Sequence, residues 1–274
     1  MDFVSESNNV EDNHGHGTHI SGIVAGLGKI EGVARSADVG SIKIMVLKYY
    51  DPKSINRDAA TLTARAIDYA INNGAQIINY SSGGSAPSDL ERSAIVRALK
   101  KNILVITAAG NDGRDLSREK FYPASYNLPN IISVASADPL NKVVSSSNYG
   151  ASQVDLAALG FRVNSIIPNN KRGYMTGTSQ ATAVVSWLAG QLMSQYEFKG
   201  NIHWVKNVLV NSGTKSNFWK NKTASERVAI PEGIKQHLNR SYKRSQFNGS
   251  LYLIFIKELT ILSQPILFPG QQRE

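Results

Sequence analysis

The chain has 274 residues, 42% of them hydrophobic and 19% charged, with 22 glycines, 9 prolines and no cysteine. That composition excludes collagen-like and low-complexity classes, disulfide scaffolds, thiol nucleophiles and zinc–thiolate sites, and the length is enough for a large core without covalent staples. The net charge of +9 permits contact with anionic surfaces but does not identify one.

Met1-Asp2-Phe3-Val4 runs straight into a polar stretch, so no signal-peptide core is expected there. Next comes Asn13-His14-Gly15-His16-Gly17-Thr18-His19, followed by small and apolar residues at helical spacing through Gly26. Three imidazoles within six residues can converge on a metal. No HExxH pattern or carboxylate set completes a shell, so no metal and no cofactor are expected.

Residues 41–46 form a short β-rich run, and 59–72 a helix with Leu62, Ala66, Ile67 and Ala70 on one side. Asn73-Gly74 closes that helix, glycine being free to adopt a left-handed cap. Residues 76–81 (QIINYS) read as a strand, 90–100 as a helix, and 102–108 (NILVITA) as a strand covered on both faces. Ala108-Ala109-Gly110-Asn111-Asp112-Gly113 follows it. This is good turn chemistry, and it also puts an amide donor at the carboxyl end of a parallel strand, where such sheets bind ligands.

Residues 130–135 repeat the apolar strand theme. Gly177-Thr178-Ser179 opens an apolar helix that runs to about Gln195. A serine there can be a simple N-cap, or can sit where the helix dipole favours an oxyanion. Residues 204–210 predict one more helix. The basic stretch 215–244 has no clear period and no interleaved aromatics, so it reads as a solvated face and no nucleic-acid partner is expected. Residues 251–268 are apolar but broken by Lys257-Glu258 and Pro265, which rules out a membrane span and predicts a strand pair or a poorly ordered tail. The alternation of strands and helices predicts an α/β fold with a mostly parallel sheet.

Three of these segments, in this order, resemble the subtilisin-like serine proteases (subtilases): His-Gly-Thr-His at 16–19, Ala-Ala-Gly-Asn at 108–111 and Gly-Thr-Ser at 177–179. Gly32-Val33-Ala34, Ile78-Asn79-Tyr80-Ser81-Ser82-Gly83-Gly84, Tyr122-Pro123-Ala124 and 145–150 (SSSNYG) add to the likeness. The resemblance covers roughly 1–215, as a peptidase domain, and leaves 216–274 as a divergent basic segment without assignment. It implies a three-layer fold with helices on both faces of the sheet.

It also implies roles. His16 is the expected general base, Ser179 the nucleophile, and Asn111 the oxyanion donor together with the Ser179 backbone N–H. Ser81, Ser82 and Gly83 are expected to pair with an extended substrate, and Ala108, Ala109 and Gly110 to line the pocket for the residue before the cut. His19 is expected to be a buried structural histidine.

The departures bear on activity. The family's Asp-Ser/Thr-Gly strand precedes its histidine by some tens of residues, and only fifteen residues precede His16. Asp2 is too close to the terminus to head such a strand, and Asp12 reads as a loop or capping residue. The expectation is an N-terminally truncated subtilase that lacks the triad aspartate and its strand, with flanking strands left unpaired unless another segment fills the gap. Residues 27–32 form a short link where calcium-binding relatives insert a loop, so no calcium site is expected.

Two functions follow. One is a serine endopeptidase acting on a peptide or protein substrate. The other is a catalytically impaired fragment or pseudo-protease that binds peptides or a complementing N-terminal segment. An extracellular location is implied by the family alone.

Overall fold

The computed structural model describes residues 1–26, 42–50, 58–195, 200–230, 233–234 and 251–257. The 27–32 link, Gly32-Val33-Ala34, 235–244 of the basic stretch and 258–268 of the apolar tail lie outside the described residues.

In chain order the elements are α1 (His16–Val24), β1 (Ile42–Lys48), α2 (Ala59–Asn72), β2 (Ile77–Tyr80), α3 (Asp89–Lys100), β3 (Leu104–Ala108), β4 (Ile131–Ala137), β5 (Leu156–Leu159), β6 (Val163–Ile167), β7 (Lys171–Met175), α4 (Thr178–Gln195), α5 (Ile202–Ser212), β8 (Thr214–Lys215), β9 (Arg227–Ala229) and β10 (Leu251–Lys257). Local chemistry sets the helix ends. Asp58 caps α2 by accepting from the Ala60 N–H at 3.0 Å, and Ser88 caps α3 by accepting from the Glu91 N–H at 3.2 Å. Past α2, Gly74 takes φ +76, as the Asn-Gly pair predicts.

The main sheet has the order β1-β10-β2-β3-β4-β5-β9-β8 and is parallel except for the short β8–β9 pair. Helices cover both faces, which the side-chain period makes visible. Ile77, Leu104 and Ile106 pack with α1, α4 and α5, whereas Ile78, Ile103 and Val105 pack with α2 and α3. Two-sided burial explains the nearly unbroken apolar runs of β2, β3 and β4. The fold is the expected three-layer α/β arrangement. Beside it, β6 and β7 form an antiparallel hairpin that turns through Pro168, Asn169 and Asn170, with positive φ at both asparagines.

β10 takes a place the sequence did not announce. It runs parallel to β1, from Leu251 beside Ile42 to Lys257 beside Lys48, and parallel to β2, from Leu253 beside Ile77 to Ile256 beside Tyr80. An apolar strand thus enters from the far end of the chain and pairs on both sides, where β1 and β2 would otherwise each show an open edge. Outside β1, the Phe3 N–H donates to the Lys48 carbonyl and the Lys48 N–H to the Met1 carbonyl. Asp2 is buried there against Lys48 Nζ at 3.2 Å. No helix among the described residues is long and apolar enough to cross a membrane.

Candidate active site

The carboxyl ends of β2 and β3 meet the N-terminus of α4. Ser179, the second residue of that helix, is buried, and its Oγ donates to the Ser81 carbonyl at 3.1 Å. Ser81 Oγ donates in return to the Ser179 carbonyl at 3.1 Å. Behind them a polar chain continues into the protein: Asn79 Nδ2 donates to Ser81 Oγ and Ser186 Oγ to Asn79 Oδ1, both at 2.9 Å. Fully buried polar groups bonded in series hold one geometry, so β2 and α4 are fixed to each other here. Neither Asn79 nor Ser186 was singled out by sequence reasoning, although an asparagine inside the apolar run QIINYS was a signal.

Asn111 lies just past β3. Its Oδ1 accepts from the Thr178 N–H at 2.8 Å and from Thr178 Oγ1 at 3.1 Å. The carboxamide oxygen is therefore committed to the start of α4, and the N–H₂ end is turned away from those bonds. Thr178 Oγ1 is also the acceptor for the Gly110 N–H at 3.2 Å. Ser179 stands in the first helical turn, where backbone N–H groups have no acceptor within the helix and the dipole favours negative charge.

The loop around Asn111 is held by a residue the sequence did not flag. Asn148 is buried; its Oδ1 accepts from the Asp112 and Arg114 N–H groups at 3.0 and 2.9 Å, and its Nδ2 donates to the Ala109 carbonyl at 2.9 Å. Its own N–H donates to the Gly110 carbonyl. Ala108 and Ala109 are buried, and Gly110 has φ +100, a conformation that favours glycine. Ser82 is nearly buried and precedes Gly83, which packs against Phe121 and the Tyr122 carbonyl.

His16 is the first residue of α1, which packs along α4 and β6. Asp12 organises that helix start: Oδ1 accepts from the His14 and Gly15 N–H groups, and Oδ2 from the Thr18 N–H and Thr18 Oγ1, both at 2.7 Å. Asp12 is thus a capping residue. His19 is fully buried one turn on. Its Nε2 faces the Val163 carbonyl at 3.0 Å and the Gly173 carbonyl at 3.2 Å. Both partners are acceptors, so the proton sits on Nε2. Burial pushes its pKa down to about 4, against the opposing pull of those carbonyls. His14 is exposed in the loop before the helix.

The hydrogen bonds therefore join Ser81, Asn111, Thr178 and Ser179 into one cluster at the sheet's carboxyl edge. His16 stands at the start of α1, the helix that packs along α4. Among the described residues no group of three His, Asp or Glu side chains could hold a metal ion.

Comparison with known proteins identifies the family. The subtilase family profile matches residues 2–230. The thermostable alkaline protease of Halalkalibacterium halodurans is 35% identical over 197 residues, 71% of this chain and 51% of that protein. Thermitase of Thermoactinomyces vulgaris is 37% identical over 204 residues, 73% of this chain and 69% of that protein. Against the first of these the chain spans about half the relative's length. Among solved structures, the prenylagaramide maturation protease PagA superposes with a TM-score of 0.65 at 27% identity, covering 81% of this chain and 82% of that one. From the profile match across most of its length and these identities, the chain belongs to the subtilase family.

Proposed function

We propose that this protein is a serine-type endopeptidase whose peptidase unit is residues 1–215. Ser179 Oγ leaves its resting bond to Ser81, attacks the scissile carbonyl carbon and gives its proton to His16. The amine leaves with that proton, and water then hydrolyses the acyl-enzyme. Asn111 Nδ2 and the Ser179 N–H carry the oxyanion, while 81–83 pairs with the extended substrate and 108–110 lines the pocket for the residue before the cut. The observation that supports this most directly is the fixing of Asn111 Oδ1 by Thr178, which leaves a preorganised donor beside a serine at a helix N-terminus.

A second reading has its own support. Asp2 is buried against Lys48, and both oxygens of Asp12 accept hydrogen bonds from the start of α1, as a capping residue does. On this reading the carboxylate that orients His16 comes from a complementing segment, and by itself the protein binds peptides with impaired catalysis.

A fluorophosphonate probe separates the two. The endopeptidase reading expects covalent labelling at Ser179, its loss in Ser179→Ala, and labelling about 10²-fold slower in Asn111→Ala. Folded protein that binds peptide but takes no label establishes the second reading instead.

A further inference from the structure

We propose that Phe121 closes the pocket for the substrate residue before the cut, so that the site accepts glycine, alanine or serine there and excludes aromatic and long aliphatic side chains. This rests on the endopeptidase reading above and adds its substrate class.

β2 and β3 are parallel neighbours in register up to Tyr80 beside Thr107. Beyond that point both segments are tied to the start of α4, one through Ser81 and Ser179, the other through Gly110 and Thr178. Each then reaches a glycine, Gly83 on one side and Gly110 on the other. Without side chains at these two positions, a slot is available for a ring.

Phe121 takes that slot. A Cβ built on Gly110 would stand 3.2 Å from both Phe121 Cδ1 and Cδ2, so the ring lies across that Cα. A Cβ on Gly83 would stand 2.8 Å from Phe121 Cζ, so the far end of the ring reaches the opposite wall. The next residue pins the ring there: the Gly84 N–H donates to the Tyr122 carbonyl at 2.9 Å, and the Tyr122 N–H to the Gly84 carbonyl at 2.8 Å. The Ser125 N–H holds the Phe121 carbonyl at 2.8 Å. The ring packs inward on the cluster of Ala109, Leu116 and Ala124 and is only partly buried, which leaves surface for an incoming side chain to meet.

A substrate side chain directed between 81–83 and 108–110 therefore meets an aromatic plane instead of a cavity. A methyl or hydroxymethyl group lies against that plane. A benzyl or isobutyl group would have to displace a ring fixed from both sides, and overpacking of this kind is strongly penalised.

The test uses the full chain and two peptidyl diphenyl phosphonates that differ only in carrying the alanine or the phenylalanine analogue at the reacting position, with the Ser179 adduct followed by intact mass. The alanine probe is expected to label at least about tenfold faster. Phe121→Ala, shown by thermal melting to be folded, narrows or inverts that ratio, and Phe121→Leu gives an intermediate value. Equal or faster labelling by the phenylalanine probe in the unmodified protein overturns the assignment, as does an unchanged ratio in folded Phe121→Ala. If a small fluorophosphonate labels Ser179 in either case, the peptidase reading survives and only the pocket assignment falls. No labelling by any probe overturns both.

Discussion

Asn148 closes the 109–114 turn from the inside, satisfying two backbone donors with one oxygen and one backbone acceptor with its amide. Asn111 sits in the middle of that turn, so its aim depends on a side chain that does not face the cleft. Asn148→Ala leaves these groups without their buried partner, at a cost of about 2 kcal/mol in stability. Amide exchange at Asp112 and Arg114 should accelerate, and fluorophosphonate labelling of Ser179 should slow by about tenfold while the protein stays folded. Gly110→Ala strains a residue at φ +100 and drives the new Cβ into Asn148 Nδ2. It should lower stability by roughly 1–3 kcal/mol, measured by denaturant unfolding. The motif at 108–111 was legible in the sequence because its residue types are tied to the chemistry. Asn148 was not, because within SSSNYG it reads as loop chemistry, and its partners lie some 35 positions away.

At the scale of elements, α1 is tied to the β6–β7 hairpin by the imidazole of His19. A buried neutral histidine gives stability a definite pH dependence. Its folded pKa is about 4, below the ordinary value of 6.5, so between those pH values the unfolded chain binds a proton that the folded one does not. Stability should therefore fall as pH drops from about 6.5 toward 4 and level off below it, with a total loss of about 3 kcal/mol from this group. Thermal melts of His19→Gln against the unmodified protein check this, the variant showing the flatter profile across that window. Helices were the best-read elements: 59–72 was expected from its periodicity and Asp58 starts it on register. The β6–β7 hairpin was not read, though the consecutive Asn169 and Asn170, both at positive φ, are the residues that tolerate such a turn. Strand 251–257 was readable as an apolar run, but its partners were not, since a parallel strand carries no local signal of what it will pair with.

The whole molecule depends on that strand. With β10 in place, neither β1 nor β2 has an open edge on the side facing the other. A chain ending at residue 250 should melt at least roughly 10 °C lower and bind more of a hydrophobic dye, because two apolar parallel edges are then uncovered. A melting point unchanged by that truncation would show that the sheet holds without the insertion.

β10 also bears on the order of assembly. β1 and β2 leave the ribosome first, and the strand that joins them is made some 200 residues after β1. The two halves of the central layer must wait through all of that intervening synthesis, with their inner margins exposed to chaperones, to proteases and to neighbouring copies. Contacts so distant in sequence favour slow, late closure. Synthesis of this protein should therefore be most vulnerable to aggregation just before residues 251–257 emerge.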